Sequence, residues 1–131
     1  MTRRRIILGI VFCLSSLLSH GLAQQHFNFD GVTLREYCKL AEVDSSKLSG
    51  DDLNSAIICT YYVNGVIDGY EAGVEPAKSL ICSPDSVTRG QLVLIVAKYL
   101  EDHPEMLHND PRFLILDAIS KAFPCKSKPT R

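Results

Sequence analysis

Four cysteines in a short exported chain constrain this fold more than any other feature. Cys38, Cys59, Cys82 and Cys125 remain once the N-terminal segment carrying Cys13 is set aside. An even number in a small exported domain argues for two disulfides. The gaps of 21, 23 and 43 positions hold no close ligand pair, which argues against a zinc site. A catalytic thiol working with His103 or His108 would leave an odd cysteine exposed to an oxidising compartment, so staples are the better reading. Four cysteines allow three pairings, and spacing alone does not choose among them. Helix order leans toward Cys38–Cys59 with Cys82–Cys125. Cys82 precedes one predicted helix, Cys125 follows the next, and antiparallel neighbours bring such ends together. In the chain-entropy account each staple contributes about 3–4 kcal/mol, a large share of the stability of a domain this small.

Export is read from the first 23 residues. Arg3, Arg4 and Arg5 form a charged start, Ile6 to Leu18 an apolar stretch of 13 residues, and Ser19 to Ala23 a cleavage region with small residues at its last and third-last positions. A membrane-spanning helix needs about 20 apolar residues, so this run is too short to serve as an anchor. Lipoprotein processing wants a small residue before its cysteine, and Phe12 precedes Cys13. The expectation is a cleaved signal over 1–23, a single exported mature domain over 24–131, and no membrane association afterwards. Losing the three arginines of an acid-free leader leaves 11 basic against 15 acidic residues, a net charge of -4. A mildly acidic domain is not built to neutralise nucleic-acid phosphates. With 46% apolar residues it is not a disordered chain either.

Apolar periodicity predicts helices throughout. Gln24 to Gly31 reads as a frayed leader. Leu34, Tyr37, Cys38 and Ala41 share a face of a first helix over Thr33 to Ala41. A second helix starts at Asp51-Asp52, acids suited to capping its free N–H groups and to the positive end of its dipole. It runs to Glu71, with Leu53, Ala56, Ile57, Thr60, Val63, Val66, Ile67 and Tyr70 as its inward stripe. Gly65 and Gly69 lie inside it and make a smooth patch where another helix, of the same chain or of a second copy, can come close. Of the adjacent Tyr61 and Tyr62, one is expected toward the core and one toward the flank. Ala72 to Val87, with Gly73, Pro76, Cys82 and Pro84, is a long loop. Thr88-x-x-Gln91 is a capping box opening a third helix, which carries Leu92, Ile95, Val96, Tyr99 and Leu100 and is stopped by Pro104. Pro104 to Leu107 makes a single turn. Asp110-Pro111 opens a fourth helix, with Leu114, Ile115, Ala118, Ile119 and Ala122 inward. Lys126 to Arg131 is a polar, basic tail expected to be mobile. The fold class is all-α: a compact bundle of about four helices stapled by two disulfides.

Nothing in this pattern reads as catalytic. Asp68 and Glu71 stand one helical turn apart, but such pairs are far more often solvated than reactive. His103 and His108 flank a proline, and a histidine at a helix end most often meets nearby carbonyls. Nucleophile-elbow, zincin and phosphate-loop motifs are absent from the sequence. The reading is a binding protein, with no enzymatic activity, no cofactor and no metal.

The mature chain resembles the Rap/Tai immunity proteins over about residues 36 to 125. The resemblance rests on Cys38, then Cys59-x2-Tyr62-x2-Gly65-x2-Asp68, then Cys82-x-Pro84, Val87-Thr88-x2-Gln91-Leu92 and Tyr99-Leu100. It closes with His103-Pro104-Glu105-x-Leu107-His108 and Ala122-Phe123-Pro124-Cys125. Order and spacing together make the set specific. The resemblance implies a periplasmic, disulfide-stapled helical protein, often a homodimer, without enzymatic activity. It also implies a partner: a papain-like peptidoglycan amidase delivered by type VI secretion, whose active-site cleft the protein blocks. An acidic surface suits a basic effector and speeds encounter. The candidate contacts are Glu75, Lys78 and Ser79 in the Ala72–Ile81 loop, then His103, Glu105 and His108 in the turn from His103 to Asn109. The alternative is a small periplasmic helical chaperone or stress protein without a cognate effector.

Overall fold

A computed structural model describes residues 29–125. The predicted export signal and the tail from Lys126 lie outside the described residues. Four helices carry the fold: α1 (Gly31–Leu40), α2 (Gly50–Gly73), α3 (Arg89–Asp102) and α4 (Pro111–Ala122). Short 3-10 turns occupy Ser45–Lys47, Pro76–Lys78 and Pro104–Met106. The all-α expectation holds, and the only β feature among the described residues is an isolated bridge between Ile81 and Pro124. No described helix is long and apolar enough to cross a membrane.

Local chemistry sets the helix starts. Thr88 accepts a hydrogen bond from the Gln91 N–H at 3.2 Å, the first half of the predicted capping box. Asp110 accepts from the Arg112 N–H at 2.8 Å, with Pro111 in the first helical position. At α2 the prediction needs correction. Asp51 and Asp52 sit within the first turn, where they suit the dipole. The cap position belongs to Ser49, whose side chain makes no capping bond. Gly50 follows in the left-handed region at φ 55°, which glycine tolerates because it lacks a Cβ.

Of the leader read as frayed from Gln24 to Gly31, residues 24–28 lie outside the described residues, and Phe29 to Gly31 are ordered. Asp30 caps the helix by accepting the Thr33 N–H at 2.8 Å. Phe29 packs against Tyr37 and Tyr62, with ring centroids 5.7 and 4.6 Å away. Gly31 is buried, and a Cβ there would collide with the Leu107 carbonyl and the Leu114 side chain. The cap is a local bond, but the burial of Gly31 comes from tertiary contact with Leu107 and Leu114, which no local pattern reports.

The core is drawn from all four helices. Leu34 and Cys38, Cys59, Val63 and Ile67, Val96 and Leu100, and Leu114, Ile115 and Ile119 are all essentially inaccessible. Helix α3 touches each of the other three and buries Leu92, Val93, Val96, Ala97, Tyr99 and Leu100, a broader face than its predicted stripe. In α2 the inward line is Ala56, Cys59, Val63 and Ile67. Ile57, predicted inward, is 43% exposed. The disulfide turns Cys59 to the interior, which rotates Ile57 outward. Tyr62 packs on the core while Tyr61 is 76% exposed, as the adjacent pair suggested. Ala122 is exposed instead of inward, because the helix ends there and the chain turns toward Ile81.

Both staples join the cysteines that helix order favoured, Cys38–Cys59 and Cys82–Cys125. They differ in setting. Cys38 and Cys59 are fully buried, whereas Cys82 lies at the surface. Loop length alone ranks them oppositely, since their separations are 21 and 43 residues and longer loops lose more unfolded-state entropy. Replacing both cysteines of a pair by alanine separates these effects in denaturant unfolding. The Cys38/Cys59 variant is expected to lose at least as much stability as the Cys82/Cys125 variant, about 3–5 kcal/mol, because a buried cavity adds to the lost cross-link. A markedly smaller loss for the buried pair would show that its packing contributes nothing.

Candidate functional site

The segment between α2 and α3 is irregular in sequence but tightly held. Helix α2 ends at Gly73, Val74 and Glu75 are extended, and Pro76 starts the 3-10 turn. On that turn Glu75 and Lys78 form an ion pair at 3.0 Å, both side chains well exposed. Such surface pairs contribute about 0–1 kcal/mol. Ser79 Oγ accepts the Ile81 N–H at 3.2 Å and donates to the Ile81 carbonyl at 2.9 Å. The Leu80 N–H donates to the Tyr70 hydroxyl at 3.0 Å. Ile81 is buried and bridges Pro124, and the Cys82 N–H donates to the Phe123 carbonyl at 2.9 Å. The Cys82–Cys125 bond closes the series. Behind the loop lies a hollow of about 310 Å³ lined by Glu71, Val74, Pro76, Ser79, Ile81 and Cys82.

The second predicted segment is the turn after α3. His103 Nδ1 lies 3.1 Å from Glu105 Oε1, and His108 Nδ1 lies 2.9 Å from the Glu105 carbonyl. The His103 ring packs on Tyr99 with centroids 4.4 Å apart. Tyr99 donates to Asp117 at 2.5 Å, while Lys121 donates to Asp117 at 2.9 Å and to the Tyr99 hydroxyl at 3.2 Å. Burial works to raise the Asp117 carboxyl, but the bonds from Tyr99 and Lys121 outweigh it and leave the group below its ordinary range. Burial, and then the bond to Asp117, push the Tyr99 hydroxyl up. Glu105 is lowered by its own backbone N–H and then by His103. Each charge in this array faces a partner, so it braces the turn against α3 and α4.

The two segments meet the same element. Lys121, near the end of α4, faces Tyr99 and acts electrostatically on Glu105, while Phe123 to Cys125 hold Ile81 and Cys82. The other sequence candidates fall elsewhere. Asp68 is ion-paired with Arg89 and Glu71 lines the hollow behind the loop. Among the described residues no group of three or more His, Cys, Asp or Glu side chains is placed to hold a metal. The sequence reading of the loop named its polar residues and passed over Leu80, which is 69% exposed. Its position beside Ile81, which is buried, is the only signal the sequence carries, and exposure settles it.

A third surface lies on the outer side of α2. A Cβ at Gly65 or Gly69 would meet nothing within 4 Å, so the smooth patch is not used inside the described domain. It floors an open groove of about 540 Å³ with Tyr61, Tyr62, Val66, Tyr70, Leu116 and Arg112 around it.

The Asp117 array carries a pH signature. A carboxyl depressed in the folded state contributes stability that is present above its unfolded pKa, 3.8, and lost as pH falls through the lower folded value. Tyr99→Phe removes one donor and is expected to cost about 1 kcal/mol at pH 7. That deficit should shrink below pH 3.8 as Asp117 protonates. Urea unfolding of both proteins at pH 7 and pH 3 reads this directly, and a deficit independent of pH would remove Asp117 from the account.

A family model for Rap1a immunity proteins matches residues 30–125. No curated protein and no solved structure matches the chain. The matched span runs from the cap of α1 to Cys125 and so contains all four helices, both staples and both candidate segments. On that match, the chain belongs to the Rap1a immunity proteins.

Proposed function

We propose that this immunity protein is exported to the periplasm, where it binds a papain-like peptidoglycan amidase delivered by type VI secretion and blocks its active-site cleft. The observation that carries the reading is the loop from Val74 to Cys82. It projects exposed side chains on a backbone held by Tyr70, Ser79, the Ile81–Pro124 bridge and a disulfide. Blocking a cleft needs no chemistry from the inhibitor, only a shaped element whose ordering cost has already been met in the free protein. Glu75, Lys78 and Ser79 are the proposed polar contacts of this loop. His103, Glu105 and His108 form a second contact surface, related to the first through the end of α4.

Oxidised protein purified from the periplasm is expected to form a stoichiometric complex with the amidase effector of the same strain and to abolish its peptidoglycan cleavage. Alanine at Glu75 or Lys78 is expected to weaken Kd by less than about tenfold each, since exposed polar contacts are worth about 1 kcal/mol or less, whereas Ser79→Ala also removes the two bonds that hold the Ile81 backbone. Replacing Pro76–Ile81 by a Gly/Ser stretch of equal length should abolish inhibition while the four-helix circular dichroism signal stays. Full inhibition by that variant would move the contact away from the loop.

The same reading includes a homodimer, and the groove over Gly65 and Gly69 is the surface we assign to it. Its floor has no side chain of its own, so a helix of a second copy can approach the α2 backbone closely. Light scattering is expected to report two copies for the natural protein and one for Gly65→Glu, with melting unchanged at matched low concentration. A Gly65→Glu protein that remains dimeric excludes this face.

A further inference from the structure

Several large apolar side chains are exposed among the described residues, and Leu80 differs from the others in its setting. Tyr61, Leu94 and Phe113 project from the faces of regular helices. Val43 also lies outside the helices, but it is only 41% exposed and borders a hollow with Leu48, Leu53 and Ile57. Leu80 is 69% exposed on an irregular loop, yet the backbone is held at the residue itself and on each side of it. Its N–H is taken by the Tyr70 hydroxyl at 3.0 Å. Ser79, before it, bonds both polar groups of the Ile81 backbone. Ile81, after it, is buried and bridges Pro124, next to the Cys82–Cys125 staple. Single exposed leucines are ordinary on protein surfaces. A leucine held out in water by restraints that converge on its own peptide unit is not.

The neighbouring charges make the contrast sharper. Glu75 and Lys78 are already paired at 3.0 Å, so a partner that engages them exchanges one ion pair for another. Leu80 is mostly in water, at 69% exposed, and burying its side chain is favourable without any replacement bond. Interfaces concentrate their energy in a few such side chains, preordered and inserted into fitted hollows, with polar contacts around them that mainly exclude water.

We infer that Leu80 is the anchor through which the Val74–Cys82 loop engages its partner. The partner presents a concave apolar hollow that admits one branched aliphatic side chain, rimmed by polar groups facing Glu75 and Lys78. Tyr70 is a positioning residue for that anchor, through the bond from its hydroxyl to the Leu80 N–H. The inference rests on the proposed function and takes the cleft of the effector enzyme as the occupant.

The experiment measures Kd and association rate of the oxidised protein for the amidase effector of the same strain by surface plasmon resonance. Leu80→Ala is expected to raise Kd by about 30-fold or more, Leu80→Met by under about threefold, and Lys78→Ala by under about tenfold. Each variant should melt with the natural protein, since Leu80 contributes little to the core. Leu80→Ala binding as tightly as the natural protein overturns the anchor and leaves the proposed function standing. No complex with the natural protein overturns both. Hydrogen exchange of the free protein tests the preordering separately. The Leu80 amide is expected to be protected, and Tyr70→Phe to speed its exchange and lower the association rate. A Leu80 amide that exchanges at the rate of an open chain in the natural protein overturns the preordering and the role of Tyr70.

Discussion

The buried Cys38–Cys59 bond is the interaction on which the arrangement of helices depends. It sits with both half-cystines fully inaccessible, between α1 and α2, in the same core as Leu34, Val63 and Ile67. Because it turns Cys59 inward, it sets the rotation of the longest helix about its axis. That rotation places Ala56, Val63 and Ile67 in the core, turns Ile57 and Tyr61 outward, and leaves Gly65 and Gly69 on an open face. Helix α3 then packs against both members of the stapled pair and against α4, burying side chains over a wide arc. A domain of this size has a modest core, so a cross-link inside it contributes packing as well as chain entropy.

The second staple has a different task. Cys82–Cys125 lies at the edge of the domain and ties the end of the α2–α3 segment to the chain leaving α4. With the Ile81–Pro124 bridge and the Tyr70 hydroxyl it turns a run without regular structure into a fixed projection. Tyr70 has two neighbourhoods, since it also borders the groove over Gly65 and Gly69. The surface assigned to a second copy and the loop assigned to the effector therefore share one side chain. The end of α4 plays a similar linking part, with Lys121 turned toward Tyr99 and Glu105 and Phe123 toward Cys82.

Much of the fold was legible because its signals are local. Thr88, Asp110 and Pro111 mark helix starts through bonds made within three residues, and those bonds form as expected. The apolar spacing of α1 and α4 identified most of their buried faces for the same reason. The readings that failed concern contacts between distant segments. Gly31 is buried at the helix start because Leu107 and Leu114 pack over it, although the Asp30 cap beside it is a local bond. Ile57 fits a helical stripe as well as Cys59 does, and the bond of Cys59 to Cys38 on a distant helix decides between them. At the candidate site the polar residues could be named from sequence, but the exposure of Leu80 and the bond that Tyr70 makes to it could not.

By itself the sequence determined the helical class, the number of long helices, the presence of two disulfides and the resemblance to an immunity family, while the structure chose the pairing of the cysteines. Each depends on residue type, spacing or chain order, which are written along the chain. The tertiary structure decided how each helix is rotated, which staple is buried and which is exposed, and whether the long loop is held or free. Those are settled by which distant surfaces exclude water from one another, and no local window of sequence records that.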